Sequence, residues 1–151
     1  MIWESKRFEL LDIKTFYEIV ALRVHVFIIE QTCFYEELDY KDQSAYHVYV
    51  KDENGQILAY LRVLDPGISY EEVSIGRVVV APASRGTGLG RALMLKGFEC
   101  VKSNYGDVPI RISAQAYLQN FYESLGFVAD SEVYEEDGIP HLEMVKGFAA
   151  H

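Results

Sequence analysis

Cysteine is scarce: Cys33 and Cys100 are the only two in 151 residues. They are too few and too far apart for a disulfide scaffold or a Cys-x-x-Cys motif. No histidine and cysteine cluster has zinc spacing, so no metal is expected. Long apolar runs are missing as well. Half of the residues are apolar, yet none of the runs approaches the ~18 needed to cross a bilayer. The opening Met1-Ile2-Trp3-Glu4-Ser5-Lys6 has no basic start, apolar centre or small-residue cleavage site, so it does not read as a signal peptide. The cytoplasm is the expected location, with no membrane partner. Basic residues are in the minority: 14 Lys and Arg face 23 Asp and Glu, for a net charge of −9. Nucleic acid calls for a basic patch and is not expected as a partner. An acidic surface steers cationic substrates inward, or simply confers solubility. Internal repeats and low-complexity linkers are absent, and the length suits one core, so residues 1–151 are expected to form a single domain.

What is present is a glycine-rich turn. Arg85-Gly86-Thr87-Gly88-Leu89-Gly90 lies between an apolar run, Ser74 to Pro82, and an amphipathic stretch from Arg91 to about Ser103. That stretch has apolar residues at 92, 93, 95, 98 and 101, close to the helical period. A turn between a strand and a helix start offers unpaired N–H groups to an anion, aided by the helix dipole. Arg77, Arg85, Arg91 and Lys96 gather around it, and a phosphate group is the expected ligand. A P-loop needs Gly-Lys-Ser/Thr, where this chain has Gly90-Arg91-Ala92. A dinucleotide fingerprint needs a later third glycine and an acidic residue after the second strand. Here that region reads Pro109-Ile110-Arg111-Ile112. A plain strand–helix turn is the bland alternative.

Patterning orders the remaining elements. A strand is expected over Ile2 to Leu10, then a helix capped by Asp12 and running to about Ile28. Glu30 to Ser44 forms a polar and aromatic connection. Strands Tyr46–Lys51 and Gln56–Leu64 are joined by Asn54-Gly55, a hairpin signal. Asp65-Pro66-Gly67 turns the chain into a strand from Val73 to Val80. A strand over Val108 to Ala114, a short tyrosine-bearing helix, and strands over Phe127–Tyr134 and Ile139–Lys146 around Asp137-Gly138 complete the order.

Arg85 to Gly90 resembles, at each fixed position, the R-x-x-G-x-G pyrophosphate turn of the GNAT acyl-CoA-dependent N-acyltransferase superfamily. Gln115 to Phe127, a short helix with Tyr122 that ends in Gly126-Phe127, resembles the same superfamily's second signature. Arg23 to Gln31, Asp39 to Asp42 and Asp137 to His141 look like its ElaA-type branch, so that the likeness covers nearly the whole chain. It implies an α/β (α+β) fold: a mixed, mostly antiparallel central sheet with helices on both faces, and a splayed parallel strand pair that binds acyl-CoA. Here the pair would be the strands ending near Val80 and Ala114. There are departures. The superfamily often has Asn seven residues before the tyrosine, to bond the pantetheine, and Ala four before it. This chain has Gln115 and Leu118 there.

The activity so implied is N-acetyl transfer from acetyl-CoA to an amine by direct attack. The acceptor is unidentified and its cationic character open, as is a homodimer. The cofactor contacts would come from Val78, Val79 and Val80, from Arg85, Gly86, Thr87, Gly88, Leu89, Gly90 and Arg91, and from Gln115. An alkylamine has a pKa near 10.4, leaving roughly one molecule in a thousand reactive at neutral pH, so a base or burial must help. Strand N–H groups at Val78 to Val80, freed by splaying, would stabilise the oxyanion. Tyr122 would protonate the departing thiolate, the role the family gives to a tyrosine there. Glu30, at the end of an apolar helix, is a candidate base whose expected burial would raise its pKa; a solvated helix end is the alternative. His141 is the second candidate, against a structural strand histidine. Glu71 and Glu72 read as turn residues. Cys33 has no adjacent histidine to make it a nucleophile, His25 is expected to pack within the first helix, and His151 is a tail residue. Glu30 to Asp42, with Phe34, Tyr35 and Tyr40 among Glu36, Glu37, Asp39 and Asp42, would wall a cation-binding acceptor pocket together with the final hairpin. Two other activities stay open: an acyl-homoserine-lactone-synthase-like enzyme, and a non-enzymatic acyl-CoA sensor.

Overall fold

A computed structural model describes residues 1–147; His151 lies outside the described residues. Eight strands form one sheet in the order β1-β2-β3-β4-β5-β8-β6, and β7 pairs with β8. The strands are β1 (Ile2–Arg7), β2 (Ala45–Lys51), β3 (Ile57–Leu64), β4 (Val73–Val80), β5 (Ile110–Gln115), β6 (Val128–Ala129), β7 (Tyr134–Glu136) and β8 (Ile139–Lys146). All neighbours are antiparallel except β4 and β5.

Helix α1 (Ile13–Arg23) begins where Asp12 caps it, the carboxylate accepting from the Thr15 amide at 2.7 Å. The chain continues to Glu30, but as π-helical turns over Val24–Glu30. These turns bury Val26 and Phe27 and leave His25 exposed, not packed within the helix as expected. The Asn54-Gly55 hairpin forms as expected, with the Asp52 carboxylate accepting from the Asn54 and Gln56 amides. The expected strand over Phe127–Tyr134 shrinks to β6 and a separate β7. Asp130 to Glu132 interrupt it, and the Asp130 carboxylate is drawn to Arg111 at 2.8 Å.

The sheet separates two apolar clusters. Val48, Val50, Ala59, Leu61, Val63 and Ile75 pack against Leu93, Met94 and Val101 of α2 (Leu89–Tyr105). Gly97 permits that approach: a Cβ there would lie 2.9 Å from Leu61 Cδ2, which outweighs the ~1 kcal/mol cost of a mid-helix glycine. On the other face Tyr49, Tyr60 and Val79 pack against Ile19, Val26 and Phe27 of α1 and its extension. Helices therefore cover both faces. No helix among the described residues is long and apolar enough to cross a membrane.

Candidate active site

The parallel pair carries the site. β4 and β5 are in register only at Val73–Ile110 and Ser74–Arg111. Beyond those pairs the strands part, and the β5-facing side of β4 has no ladder partner. The β3–β4 register also slips between Tyr60 and Arg62, and Arg77 takes φ 52°, left-handed backbone that a non-glycine residue seldom adopts. The split opens into a cleft of about 740 Å³ lined by Val78, Val79 and Val80 on one wall and Ile112, Ser113 and Gln115 on the other.

The glycine turn closes one end. After a 3-10 turn at Pro82–Ser84, Gly86 and Gly88 take φ 77° and 79°, and Gly88 is the residue from which α2 starts. A Cβ on either would meet nothing within 4 Å, so open space borders both glycines. The amides that begin α2 have no carbonyl four residues back to bond, which leaves them to an anion. Arg85 and Gly90 line the cleft itself. Thr87 is exposed, its hydroxyl donating to the Ser84 carbonyl, and the Leu89 side chain is buried. The Arg91 guanidinium reaches Ser124 Oγ at 3.0 Å, tying α2 to the end of α3 (Gln119–Glu123). Only its backbone belongs to the turn.

Tyr122, on α3, lines the cleft and is buried, its ring edge-on to Phe121 and Phe127. Its hydroxyl has no hydrogen-bond partner among the described residues. Burial pushes its pKa up, so the phenol holds its proton at neutral pH. Gln115 ends β5 with its amide 3.4 Å from that of Gln31.

Glu30 departs from expectation. It lines the cleft but is exposed, and it ion-pairs with Arg85 Nη2 at 2.6 Å. The hydrogen bond from Arg85 holds its carboxyl below the usual carboxylate range, opposite to the rise that burial was expected to give a base. His141 lies opposite Gln115 in the β5–β8 ladder, buried, with Nδ1 2.7 Å from the Ile139 carbonyl and Nε2 3.4 Å from Glu136.

The segment and the final hairpin both line the cleft, through Tyr35 and Asp39 and through Asp137 and His141, but most of the segment's acids are not free for a cation. Glu37, Asp39 and Asp42 are taken up by arginines. Arg23 donates to Glu37 and Asp42 at 2.7 and 2.9 Å, Arg62 to Asp39 and Asp42 at 2.5 and 3.0 Å, and Arg77 to Glu37 at 2.6 Å. Burial alone would raise the Asp39 carboxyl, but the hydrogen bond and charge of Arg62 outweigh it and hold it far below the usual range. Phe34 and Tyr40 point outward, and Tyr35 alone of the three aromatics lines the cleft, under the Arg77 guanidinium. Cys33 Sγ donates to the Asp137 carbonyl at 2.8 Å, and Glu72 pairs with Arg111. No group of three or more His, Cys, Asp or Glu among the described residues could hold a metal ion.

A strand pair split at its C-terminal ends, with a glycine turn at a helix start beside it, defines an acyltransferase-type cleft. Residues 14–148 match the acetyltransferase (GNAT) domain family. The chain is 39% identical to protein ElaA of Escherichia coli over 145 residues, 95% of each chain. It is 42% identical to a UPF0039 protein of Schizosaccharomyces pombe over 92% of each. An acyl-CoA N-acyltransferase structure from Pseudomonas aeruginosa superposes with a TM-score of 0.91 at 42% identity, covering 97% of this chain and 99% of that one. At 16% identity, an aminoglycoside 6'-N-acetyltransferase complexed with coenzyme A shares the fold, with a TM-score of 0.71 over 100% and 99% of the two chains. The chain belongs to the GNAT acetyltransferase family, in its ElaA-like branch.

Proposed function

We propose that this chain, as one domain over residues 1–151, transfers an acetyl group from acetyl-CoA to an amine by direct attack. The observation that carries the reading is the continuity of one cleft from the glycine turn, along the β4–β5 split, to the unpartnered Tyr122 hydroxyl. The amides of Arg85 to Arg91 cradle the pyrophosphate, and an aminoglycoside 6'-N-acetyltransferase that shares the fold is complexed with coenzyme A. Gln115 and Val78 to Val80 bond the pantetheine and thioester, the strand amides serving the oxyanion. Tyr122 gives its proton to the sulfur in concert with C–S cleavage, because burial raises the phenol's pKa and disfavours a free phenolate. Glu30 binds Arg85 and has no part in removing the amine's proton.

The test pairs binding with turnover. Gly88→Val puts a branched side chain on left-handed backbone that valine rarely adopts and so distorts the turn. Calorimetry should show acetyl-CoA binding lost while circular dichroism stays native. Thiol release with a panel of amines should fall with it. Unchanged affinity in a folded variant refutes the cofactor assignment, and tight binding by the wild type without turnover on any amine favours a sensor.

A further inference from the structure

We propose that the acceptor amine enters as an ammonium ion between Glu136 and His141, and that His141 Nε2 removes its proton. This rests on the acyl-transfer reading above and supplies the base that reading lacks.

The ring's hydrogen bonding carries the argument. Nδ1 lies 2.7 Å from the carbonyl of Ile139, and a carbonyl only accepts, so Nδ1 bears hydrogen. In the neutral ring the lone pair is therefore on Nε2. Nε2 in turn lies 3.4 Å from Glu136 Oε2. A lone pair and a carboxylate thus face each other with no hydrogen between them. A donor with several N–H groups and a positive charge satisfies both acceptors, and an ammonium has that chemistry.

The surroundings hold this pair in place. His141 is 7% exposed, fixed opposite Gln115 at the open end of the split and opposite Tyr134 on β7. The Tyr134 ring stacks on the imidazole, with centroids 6.3 Å apart. Ser113 Oγ reaches Glu136 Oε1 at 3.3 Å and the Tyr134 hydroxyl at 2.5 Å. Tyr70 lines the same cleft, its pKa pushed up to about 12 by burial, so it brings no charge. Around the imidazole are therefore Glu136 and Tyr134 of β7 and, across the ladder on β5, Gln115 with Ser113 two residues before it. Glu143 on β8 itself is occupied by Arg111. Ser113, Gln115, Glu136 and His141 all line the same cleft as Val78 to Val80 and Tyr122.

The step balances. The ammonium passes one proton to Nε2, and Glu136, half exposed, accepts a hydrogen bond from the imidazolium and leads that proton to solvent. The freed amine attacks the thioester carbon, the C–N bond forms, and the C–S bond breaks as the tetrahedral centre collapses. The nitrogen's second proton is equivalent to the one the thiolate gains from Tyr122, which is then restored. The products are an acetamide, the CoA thiol and one released proton.

The test uses acetyl-CoA with two probes, benzylamine, an ammonium at neutral pH, and methoxyamine, whose nitrogen is neutral there. His141→Gln should lower kcat/KM for benzylamine by about 10²-fold or more, the scale of a lost general base, and for methoxyamine by only a few-fold. Glu136→Gln should weaken benzylamine turnover selectively, with Glu136→Asp restoring part of it. Nitrogen-15 NMR of the free wild-type protein should show hydrogen on Nδ1 in the neutral ring. Equal losses for both probes at normal acetyl-CoA affinity, unimpaired turnover in His141→Gln, or an Nε2–H tautomer would each overturn the inference alone. Wild-type protein that acetylates neither probe would overturn it together with the acyl-transfer reading.

Discussion

The Glu30 carboxylate meets the Arg85 guanidinium at 2.6 Å, tying the end of the first helical segment to the turn that precedes α2. Arg85 Nε also points back to the Val80 carbonyl at 3.4 Å, so one side chain spans the turn, the split strand and the first helix. A carboxylate held this way is a poor proton acceptor, because its pairing favours the charged form. It is also a competitor of phosphate for the same guanidinium.

Glu30→Gln should therefore leave kcat within about twofold, far from the roughly 10²-fold loss of a missing base. Acetyl-CoA should bind a few-fold more tightly, since Arg85 is released and a negative charge near the pyrophosphate is removed. The gain should shrink as salt screens the exposed pair. Isothermal titration at two ionic strengths, with steady-state rates, checks all three outcomes. A collapse in kcat at normal affinity would return Glu30 to the role of base.

Tyr122 offers a cleaner separation of packing from chemistry. Its ring is fixed edge-on to Phe121 and Phe127, and its hydroxyl has no partner among the described residues. Tyr122→Phe preserves the ring contacts and takes away only the proton donor. Thermal stability and acetyl-CoA affinity should stay near wild type while turnover falls by about 10²-fold. Turnover within twofold of wild type would make Tyr122 a packing residue, with water protonating the thiolate.

How much of this was legible in the chain depends on the range of each interaction. The Asp12 cap, the Asn54-Gly55 turn and the strand–glycine–helix passage at Val80 to Arg91 are made by residues adjacent in sequence, and each could be read directly. Glu36 and Glu37 mark the limit. They are neighbours of one chemistry, yet Glu36 is exposed while Glu37 is buried under Arg23 and Arg77. The one that turns inward meets Arg23 at the end of α1 and Arg77 on β4, and only the assembled fold brings those two to the loop. Glu136 is hidden in the sequence for the same reason. It looks like one acid in an acidic hairpin until the β5–β8 and β7–β8 registers set it beside Ser113 and His141. At Glu30 it is burial that differs: the apolar stretch leading into it suggests a buried carboxylate, and the π-helical turns end with it exposed and facing Arg85.

His47 supplies a stability prediction with a definite sign. It is fully buried beneath the arginine network, its Nε2 2.9 Å from the Asp42 carbonyl and its Nδ1 2.6 Å from the Tyr60 hydroxyl. The first contact needs hydrogen on Nε2, and the second is satisfied by the tyrosine proton, so the neutral ring meets both. Burial lowers its pKa from 6.5, and the nearby Arg23 and Arg62 charges add to that. Between 6.5 and the depressed folded value the unfolded chain therefore binds more protons than the folded one. The contribution to stability is complete above 6.5 and is lost as pH falls towards the folded pKa. Urea denaturation at a series of pH values should show stability declining with acid across that window, by at most about 1.4 kcal/mol per pH unit for one proton. His47→Gln removes the titrating group, and the difference between the two proteins cancels the groups they share. The wild-type slope should thus exceed the variant's below 6.5 and match it above. Equal slopes throughout would mean that the ring charges in place, with the Tyr60 hydroxyl turning to accept from Nδ1–H.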